Sequence, residues 1–221
     1  MNVPSLRLRY QTHEFGDIDI HVCTLRDNQQ FSDPAGEAED LGISSATWPL
    51  FGIVWPSSVV LANYVLGFDT RGKRILEVGC GIGLSSLLLN KLEADITATD
   101  YHPEAEPFLA RNTGLNNGAR IPFERVDWAA DDDELGLFDL IIGSDVLYED
   151  EHVALLSDFL DSHANDHCEI ILVDPGRGKK GRLVRKMTAL GFTCTEKKPA
   201  AETLAPAEFK GHILNFIRLS R

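Results

Sequence analysis

Apolar and polar residues alternate with two different periods along most of the chain. From residue 73 onward, short apolar runs such as RILEV and FDLIIGSDV are followed by stretches with apolar residues three and four apart, such as GLSSLLLNKL and EHVALLSDFLDSH. The short runs predict strands and the longer stretches predict helices packed on one face. Such strand–helix–strand alternation predicts a doubly wound α/β sheet that is mostly parallel.

Seven runs in this part of the chain have the pattern of strands, at 74–78, 95–100, 121–126, 138–146, 168–174, 192–198 and 212–220. The intervening helical stretches lie at 83–92, 103–116, 151–163 and 181–190. The last two strands have no helix between them, so we expect them to pair as an antiparallel hairpin. The prediction is a seven-stranded Rossmann-like sheet with an antiparallel C-terminal strand.

The front part of the chain has a different pattern. DIDIHVCTL (17–25) alternates apolar and polar residues, which predicts a half-buried strand, whereas residues 26–45 are polar and acidic and predict a loop. WPLFGIVWPSSVVLANYVL (48–66) is rich in aromatic residues, and Pro56 suits the first turn of a helix. We therefore expect a short N-terminal β extension over 1–47 and one domain over 48–221.

The composition is that of an ordinary globular domain, with 221 residues of which 43% are hydrophobic and 25% charged. No basic start followed by an apolar stretch opens the chain, and the longest apolar runs are too short to cross a bilayer. The four cysteines are isolated, without Cys-x-x-Cys or metal-ligand spacing. We expect a cytoplasmic protein with free thiols, no metal and no membrane partner.

The net charge of −13 repels phosphate backbones and argues against nucleic acid as a partner. One basic stretch, GRGKKGRLVRK (176–186), stands out against this background. We interpret it as the solvated face of a helix. A monomer is the expected oligomeric state.

ILEVGCGIGLSS (75–86) places three glycines directly after a strand, where ligands bind in sheets of this kind. A phosphate-binding P-loop requires Gly-Lys-Ser/Thr, which is absent. A dinucleotide fingerprint, Gly-x-Gly-x-x-Gly, fails at Leu84 when it starts at Gly79, and at Ser86 when it starts at Gly81. The remaining pattern is an acidic residue, Glu77, before the glycines, which favours a cationic ligand.

This pattern resembles motif I of class I S-adenosylmethionine-dependent methyltransferases. The resemblance implies that the loop contacts the methionine part of the cofactor, with Glu77 near its ammonium group, often through water. Asp100 would accept hydrogen bonds from the ribose hydroxyls, and Tyr101 would lie on or near the adenine. Residues at the end of the next strand would contact the adenine. The implied cofactor-binding residues are Glu77, Gly79, Cys80, Gly81, Gly83, Asp100, Tyr101, Asp127, Trp128 and Ser144.

The fourth strand of the alternating part ends in GSDVLYED, which places Ser144 and Asp145 across the cleft from the glycine loop. Asp145-x-x-Tyr148, with Trp55 upstream, resembles family 16 methyltransferases, the seven-strand group of protein-lysine methyltransferases. VDPGRG after the fifth strand resembles the branch that methylates the electron-transfer-flavoprotein beta subunit. The resemblance spans about residues 48–190, and the 26–45 segment matches nothing in it.

The resemblance implies roles for three residues at the reacting end. Asp145 would accept a hydrogen bond from the acceptor amine, while Tyr148 and Trp55 would wall the channel and stabilise a cationic product. The leading hypothesis is an S-adenosylmethionine-dependent N-methyltransferase acting on a lysine of a protein partner. The alternatives are a small amine or heteroaromatic nitrogen as acceptor, a non-catalytic cofactor-binding module, and a nicotinamide-dependent oxidoreductase.

Overall fold

The computed structural model describes residues 6–130, 134–147, 150–199 and 209–219. Its centre is a seven-stranded sheet in which the strands lie in the order β5-β4-β3-β6-β7-β9-β8. Strands β3 to β7 run parallel, and β9 is antiparallel to both β7 and β8. The strands are β3 (Arg74–Val78), β4 (Asp95–Asp100), β5 (Phe123–Arg125), β6 (Phe138–Ser144), β7 (Ala164–Asp174), β8 (Thr193–Lys197) and β9 (His212–Arg218).

Helices cover both faces of this sheet because its central strands are apolar on both sides. In β3, Ile75 belongs to one hydrophobic cluster and its neighbour Leu76 to the other, as the alternation of a strand requires. The first cluster includes α2 (Pro56–Leu66), α3 (Leu84–Lys91) and α4 (Ala105–Leu115), and the second includes α5 (Asp150–Ser162) and α6 (Lys180–Ala189). The predicted doubly wound fold with an antiparallel C-terminal strand is confirmed.

A separate two-stranded hairpin precedes the sheet, formed by β1 (Leu8–Phe15) and β2 (Ile18–Leu25). The sequence predicts β2 alone, because β1 exposes most of its side chains and has no apolar face. Phe15 and alternate residues of β2 join the hydrophobic cluster on the α4 side of the sheet. The division of the chain at 47/48 stays a prediction.

Residues 26–45 are not entirely loop, in contrast to the prediction from their composition. They contain one short helix, α1 (Glu37–Asp40), whose Ala38 is fully buried. The single small apolar residue among acidic neighbours gives too weak a periodicity to predict a helix. The burial of Ala38 in the hydrophobic core anchors the 26–45 segment to the domain.

The segment Trp48–Leu66 is 19 residues long and contains an 18-residue window with a mean hydropathy of 1.5, which by length and composition alone would suit a membrane span. The structure divides it into a 3-10 helix, Trp48–Gly52, and α2, with Ile53 in an extended conformation between them. The buried face of α2 belongs to the core cluster through Val60, Leu61 and Val65. In this structure the segment is therefore a core element of the domain.

Candidate active site

A cavity of about 540 Å³ lies at the carboxyl ends of β3, β4, β5 and β6. This is the edge of a doubly wound sheet where ligands bind, and the volume is that of a small-molecule site. Ten of the predicted site residues line it: Trp55, Gly79, Cys80, Gly81, Asp100, Tyr101, Asp127, Trp128, Ser144 and Asp145. Tyr148 lies outside the described residues, so its predicted role stays a prediction.

The glycine loop connects β3 to α3 with its backbone in the left-handed region at Gly79, Gly81 and Gly83, with φ values of 60°, 53° and 73°. A Cβ atom on Gly81 would lie 2.9 Å from the carbonyl oxygen of Phe51. Glycine is therefore required at Gly81 both for its conformation and for this close approach. The backbone N–H of Gly81 donates a hydrogen bond to Asp100 Oδ2 at 2.7 Å, which ties the loop to the end of β4.

Glu77 is not among the residues that line the cavity, so its predicted position near the cofactor stays a prediction. Its side chain is 2% exposed, and Oε2 accepts hydrogen bonds from the backbone N–H, at 2.9 Å, and the hydroxyl of Ser86. Ser86 is in the first turn of α3, where N–H groups lack a partner within the helix, so Glu77 caps the helix from below. Gly83, the N-cap residue of α3, is likewise absent from the cavity wall.

Burial has a strong electrostatic effect on Glu77. Removal of the carboxylate from water raises the pKa of Glu77 to about 7, although the hydrogen bonds from Ser86 oppose the shift. The carboxyl group therefore changes its charge close to neutral pH. Its hydrogen bonds to Ser86 mean that this change acts on the start of α3, and its charge also acts on Asp100 of the cavity wall.

Asp100 is held in place by two backbone donors. Oδ2 accepts from Gly81, and Oδ1 accepts the N–H of His102 at 2.9 Å. Burial raises the pKa of Asp100, opposed by these hydrogen bonds. Each carboxylate oxygen keeps further acceptor capacity on the cavity side, so Asp100 suits a ligand that presents two neighbouring hydroxyl groups.

The adjacent strand end supplies a polar and an aromatic residue to the same cavity. Asp127 is oriented by the backbone N–H of Ala129, which donates to its Oδ1 at 2.9 Å. Trp128 is half-buried and packs edge-on against His152, with ring centroids 6.0 Å apart. Together they form a wall with one fixed carboxylate and one aromatic side chain, as an adenine-like ring would require.

Residues 41–51 cover the cavity, and the first of them belong to the 26–45 segment, for which the resemblance in the sequence gives no role. Leu41, Ile43 and Phe51 line the cavity, and the Tyr101 hydroxyl donates a hydrogen bond to the Leu41 carbonyl oxygen at 3.0 Å. Phe51 stacks on His102 with centroids 4.1 Å apart. We call residues 41–51 the cover segment. Tyr101 lines the cavity, and its hydrogen bond connects the cover segment to the end of β4.

Trp55 lies shortly after the cover segment and lines the cavity, as predicted for a wall residue. Its indole Nε1 donates a hydrogen bond to the Leu50 carbonyl oxygen at 2.9 Å. This bond fixes the orientation of the ring, since an indole has a single donor. The ring is thus positioned before any ligand arrives.

Asp145 follows the end of β6 and is 5% exposed. Its backbone has a φ of 54°, the left-handed region that Asp adopts more readily than most residues, and its N–H donates to the Val173 carbonyl oxygen at 2.9 Å. The carboxylate is paired with Arg177, with Nε 2.6 Å from Oδ1 and Nη2 2.8 Å from Oδ2. A buried carboxylate is thus held in one orientation by a two-point ion pair.

Arg177 holds Asp145 in place, a role that the sequence does not predict. The sequence places it in the basic stretch 176–186, interpreted as a solvated helix face, but it precedes α6 and turns toward the cavity wall. The rest of that stretch is closer to the expectation, because Lys180 pairs with Glu196 and Lys186 with Asp158. The signal available in the sequence is VDPGRG at the end of β7, next to the strand that carries Asp145.

Among the residues that the structure describes, no group of three or more His, Cys, Asp or Glu side chains is placed to bind a metal ion. The cavity wall instead combines carboxylates, backbone N–H groups and aromatic rings. Asp100 and Asp127 present acceptors, and the glycine loop allows close approach of a ligand to the backbone. This set fits a cationic ligand with a nucleoside part.

The chain is similar in sequence to known proteins. A family described as lysine methyltransferase matches residues 39–182. Protein N-lysine methyltransferase METTL21A of Danio rerio is 30% identical over 139 residues, which cover 58% of this chain and 63% of that protein. The electron transfer flavoprotein beta subunit lysine methyltransferase of Xenopus laevis is 30% identical over 135 residues, which cover 59% of this chain and 54% of that protein.

A third relative has a different acceptor in its name. The histone-arginine methyltransferase METTL23 of Rattus norvegicus is 36% identical over 106 residues, which cover 44% of this chain and 47% of that protein. The matches therefore span roughly half to two thirds of the length of these relatives.

The fold is also that of a solved methyltransferase. The structure of the 16S rRNA N2 G1207 methyltransferase RsmC of Thermus thermophilus superimposes with a TM-score of 0.67 at 16% identity, covering 97% of this chain and 51% of that chain. The family match extends from the cover segment through the strand ends that form the cavity to the start of α6, well over half of the chain. The chain belongs to the lysine methyltransferase family.

Proposed function

We propose that this protein is an S-adenosylmethionine-dependent N-methyltransferase that modifies lysine side chains of a protein substrate. The observation that carries the proposal is the position of Asp145. This buried, oriented carboxylate lines the same cavity as the glycine loop and Asp100, so that one end of the cavity suits a cofactor and the other an acceptor amine.

The residues present fit the cofactor. Asp100 would hold the ribose hydroxyls, Asp127 and Trp128 the adenine, and the loop at Gly79–Gly81 the methionine part. The carboxylates on the wall favour a ligand with a positive sulfonium and ammonium group. When bound, S-adenosylmethionine supplies an electrophilic methyl group.

The acceptor end must hold an amine without its extra proton. Apolar walls at Val146, Leu155 and Trp55 exclude water, and desolvation lowers the pKa of a lysine amine. Arg177 neutralises Asp145, so the carboxylate orients the amine through a remaining lone pair without strongly favouring the ammonium form. The face of Trp55 can stabilise the cationic product.

A protein substrate is supported by the relatives, whose names specify protein acceptors. Lysine is the acceptor in two of the three named above and in the family description. Arginine is the second candidate, because the rat relative with the highest identity among these three is a histone-arginine methyltransferase. The small-amine acceptor is the remaining alternative.

The proposal is tested by a titration followed by a transfer assay. Purified protein titrated calorimetrically is expected to bind S-adenosylmethionine and not NAD. With methyl-labelled cofactor and cell lysate, label is expected in a protein band, and Asp145→Asn is expected to abolish labelling while retaining cofactor binding. Absence of cofactor binding at millimolar concentration, or label found in small molecules alone, would contradict the proposal.

Cellular location and oligomeric state also belong to this proposal. Cys23, Cys80, Cys168 and Cys194 are all free thiols, and burial raises the pKa of the Cys80 thiol well above its ordinary value. Unpaired thiols suit a reducing compartment, so we expect a cytoplasmic location. A monomer stays the expectation from the sequence. Cell fractionation and light scattering would test the two statements separately.

A further inference from the structure

A second groove, of about 220 Å³, lies between the β1–β2 hairpin and the segment that leads into α2. We propose that it is a docking site for an acidic residue of the protein substrate, within an extended segment that also carries the methylated lysine. The proposal rests on the proposed function and specifies which substrates the site accepts.

The groove has a rigid frame because α4 covers the outer edge of β2. The side chain of Asn112 exchanges two hydrogen bonds with the backbone of Cys23, at 2.7 and 3.2 Å. The side chain of Asn116 does the same with the backbone of His21, at 2.8 and 2.7 Å. These side-chain amides form the backbone hydrogen bonds that a neighbouring strand would otherwise form with β2. They hold the β1–β2 hairpin against α4.

One wall of the groove is formed by alternate residues of β1. Arg9, Gln11 and His13 project from the same face of the strand, and Arg9 lies opposite Thr24 in the register. The other wall comes from residues that precede and begin α2: Ile53, Val54, Pro56 and Val59. The groove thus has an apolar wall and a wall with polar and cationic side chains, and its volume suits single side chains of a peptide.

The charge of the groove is opposite to that of the whole protein. Arg9 and Arg26 both line it and both are exposed, and neither forms a salt bridge with any residue that the structure describes. Arg7, on the segment that leads into the same strand, is by contrast paired with Asp27 at 3.0 Å. In a chain with a net charge of −13, two guanidinium groups at one groove favour a carboxylate ligand.

The groove and the candidate active site share one lining residue. Ile53 lines both the groove and the 540 Å³ cavity, and Trp55 follows it on the cavity wall. A substrate chain with its lysine in the cavity would pass over Ile53 into the groove. The outer edge of β1 is unpaired within the described part of the chain, which favours an extended substrate segment beside it.

Binding of short fluorescent peptides, measured by anisotropy, tests this proposal without requiring catalysis. One peptide has a central lysine with glutamate at every flanking position, and the other has glutamine at the same positions. We expect the glutamate peptide to bind at least about tenfold more tightly, with an affinity that falls as salt is added. The double variant Arg9→Glu/Arg26→Glu should remove the difference between the peptides.

The control variant Arg71→Glu/Arg120→Glu carries the same change of net charge at two exposed arginines outside the groove. It should bind the glutamate peptide as the unmodified protein does. Equal binding of both peptides, no measurable binding, or undiminished binding by the groove variant would each overturn the docking proposal.

Methyl transfer to the same peptides separates the two proposals. Binding of the glutamate peptide without methylation of either peptide would contradict the proposed function and leave the docking site standing. Methylation of both peptides at equal efficiency, unchanged in the groove variant, would support the proposed function and overturn the docking site.

Discussion

Arg177 donates two hydrogen bonds to Asp145, from Nε to Oδ1 at 2.6 Å and from Nη2 to Oδ2 at 2.8 Å. The two residues follow neighbouring strands, β6 and β7, so the ion pair also joins two strand ends at the cavity. It fixes the orientation of the buried carboxylate at the acceptor end. Catalysis should therefore depend on both members of the pair.

Replacement of Arg177 by Gln should reduce kcat by about tenfold to a hundredfold, because loss of a positioning group misplaces the carboxylate. Cofactor affinity should change by less than about twofold, since Arg177 does not line the cavity. Arg177→Lys should restore only part of the activity, because an ammonium cannot form the two-point pair. Steady-state kinetics and calorimetry measure both quantities.

The control for Arg177 is Arg185→Gln, an exposed arginine on α6. It should leave kcat and cofactor affinity unchanged. Unaltered kcat in Arg177→Gln would show that Asp145 does not need its partner for catalysis.

Replacement of Gly81 by Ala should weaken cofactor binding by more than about tenfold, because the new methyl group would meet the Phe51 carbonyl at 2.9 Å. Gly72→Ala is the matched control. Gly72 has a similar φ of 71° but open space within 4 Å of where a Cβ atom would lie, so it tests backbone strain alone. Calorimetry with S-adenosylhomocysteine distinguishes the two. Equal affinities in both variants would contradict the assigned role of the loop.

Replacement of Glu77 by Gln should change how stability depends on pH. The folded protein holds a proton on Glu77 up to about pH 7, whereas the unfolded chain releases it near 4.5, so the free energy of unfolding falls as pH rises through this window. The full effect is about 3 kcal/mol. Glutamine cannot ionise and still accepts the Ser86 N–H, so the variant should lose this contribution to the slope.

Urea denaturation at several pH values between 4.5 and 8 measures this difference. The free energy of unfolding of the variant relative to the unmodified protein should rise with pH across the window. A constant difference across these pH values would mean that the Glu77 carboxyl is not protonated in the folded state.

Replacement of Tyr101 by Phe should speed cofactor release several-fold. The variant keeps the ring on the cavity wall but loses the hydrogen bond that fastens the cover segment at Leu41. Tyr10→Phe is the control, since Tyr10 is 65% exposed on β1. Stopped-flow tryptophan fluorescence measures the dissociation rate. Equal rates of cofactor dissociation in the two variants would mean that the Tyr101 hydrogen bond does not hold the cover segment in place.

Much of this site could be predicted from the sequence because its residues directly follow strands. Gly79, Gly81, Asp100 and Asp145 each lie at a strand end, and parallel strands bring their carboxyl ends to one edge of the sheet. The apolar runs before them make the strands easy to recognise. The apolar runs and the rule that parallel strands end at one edge of the sheet are therefore enough to place these residues on one cavity wall.

Other features depend on contacts that no local pattern contains. Glu77 lies in a strand, and only the left-handed turns at the glycines bring Ser86 above it. Arg177 is one cation among several in its stretch, and its pairing follows from the adjacency of β6 and β7 together with the unusual φ of Asp145. The sequence does not predict strand β1, because an exposed polar strand shows no alternation of apolar and polar residues.

Mass mapping of the methylated residue decides whether lysine is the acceptor of this protein. Lysate protein is incubated with purified enzyme and methyl-labelled S-adenosylmethionine, and labelled peptides are sequenced by mass spectrometry, with Asp145→Asn as the inactive control. We expect methylated lysine, in a peptide with acidic residues nearby, that is absent from the control. Methylated arginine, or label confined to small molecules, would contradict methyl transfer to a protein lysine.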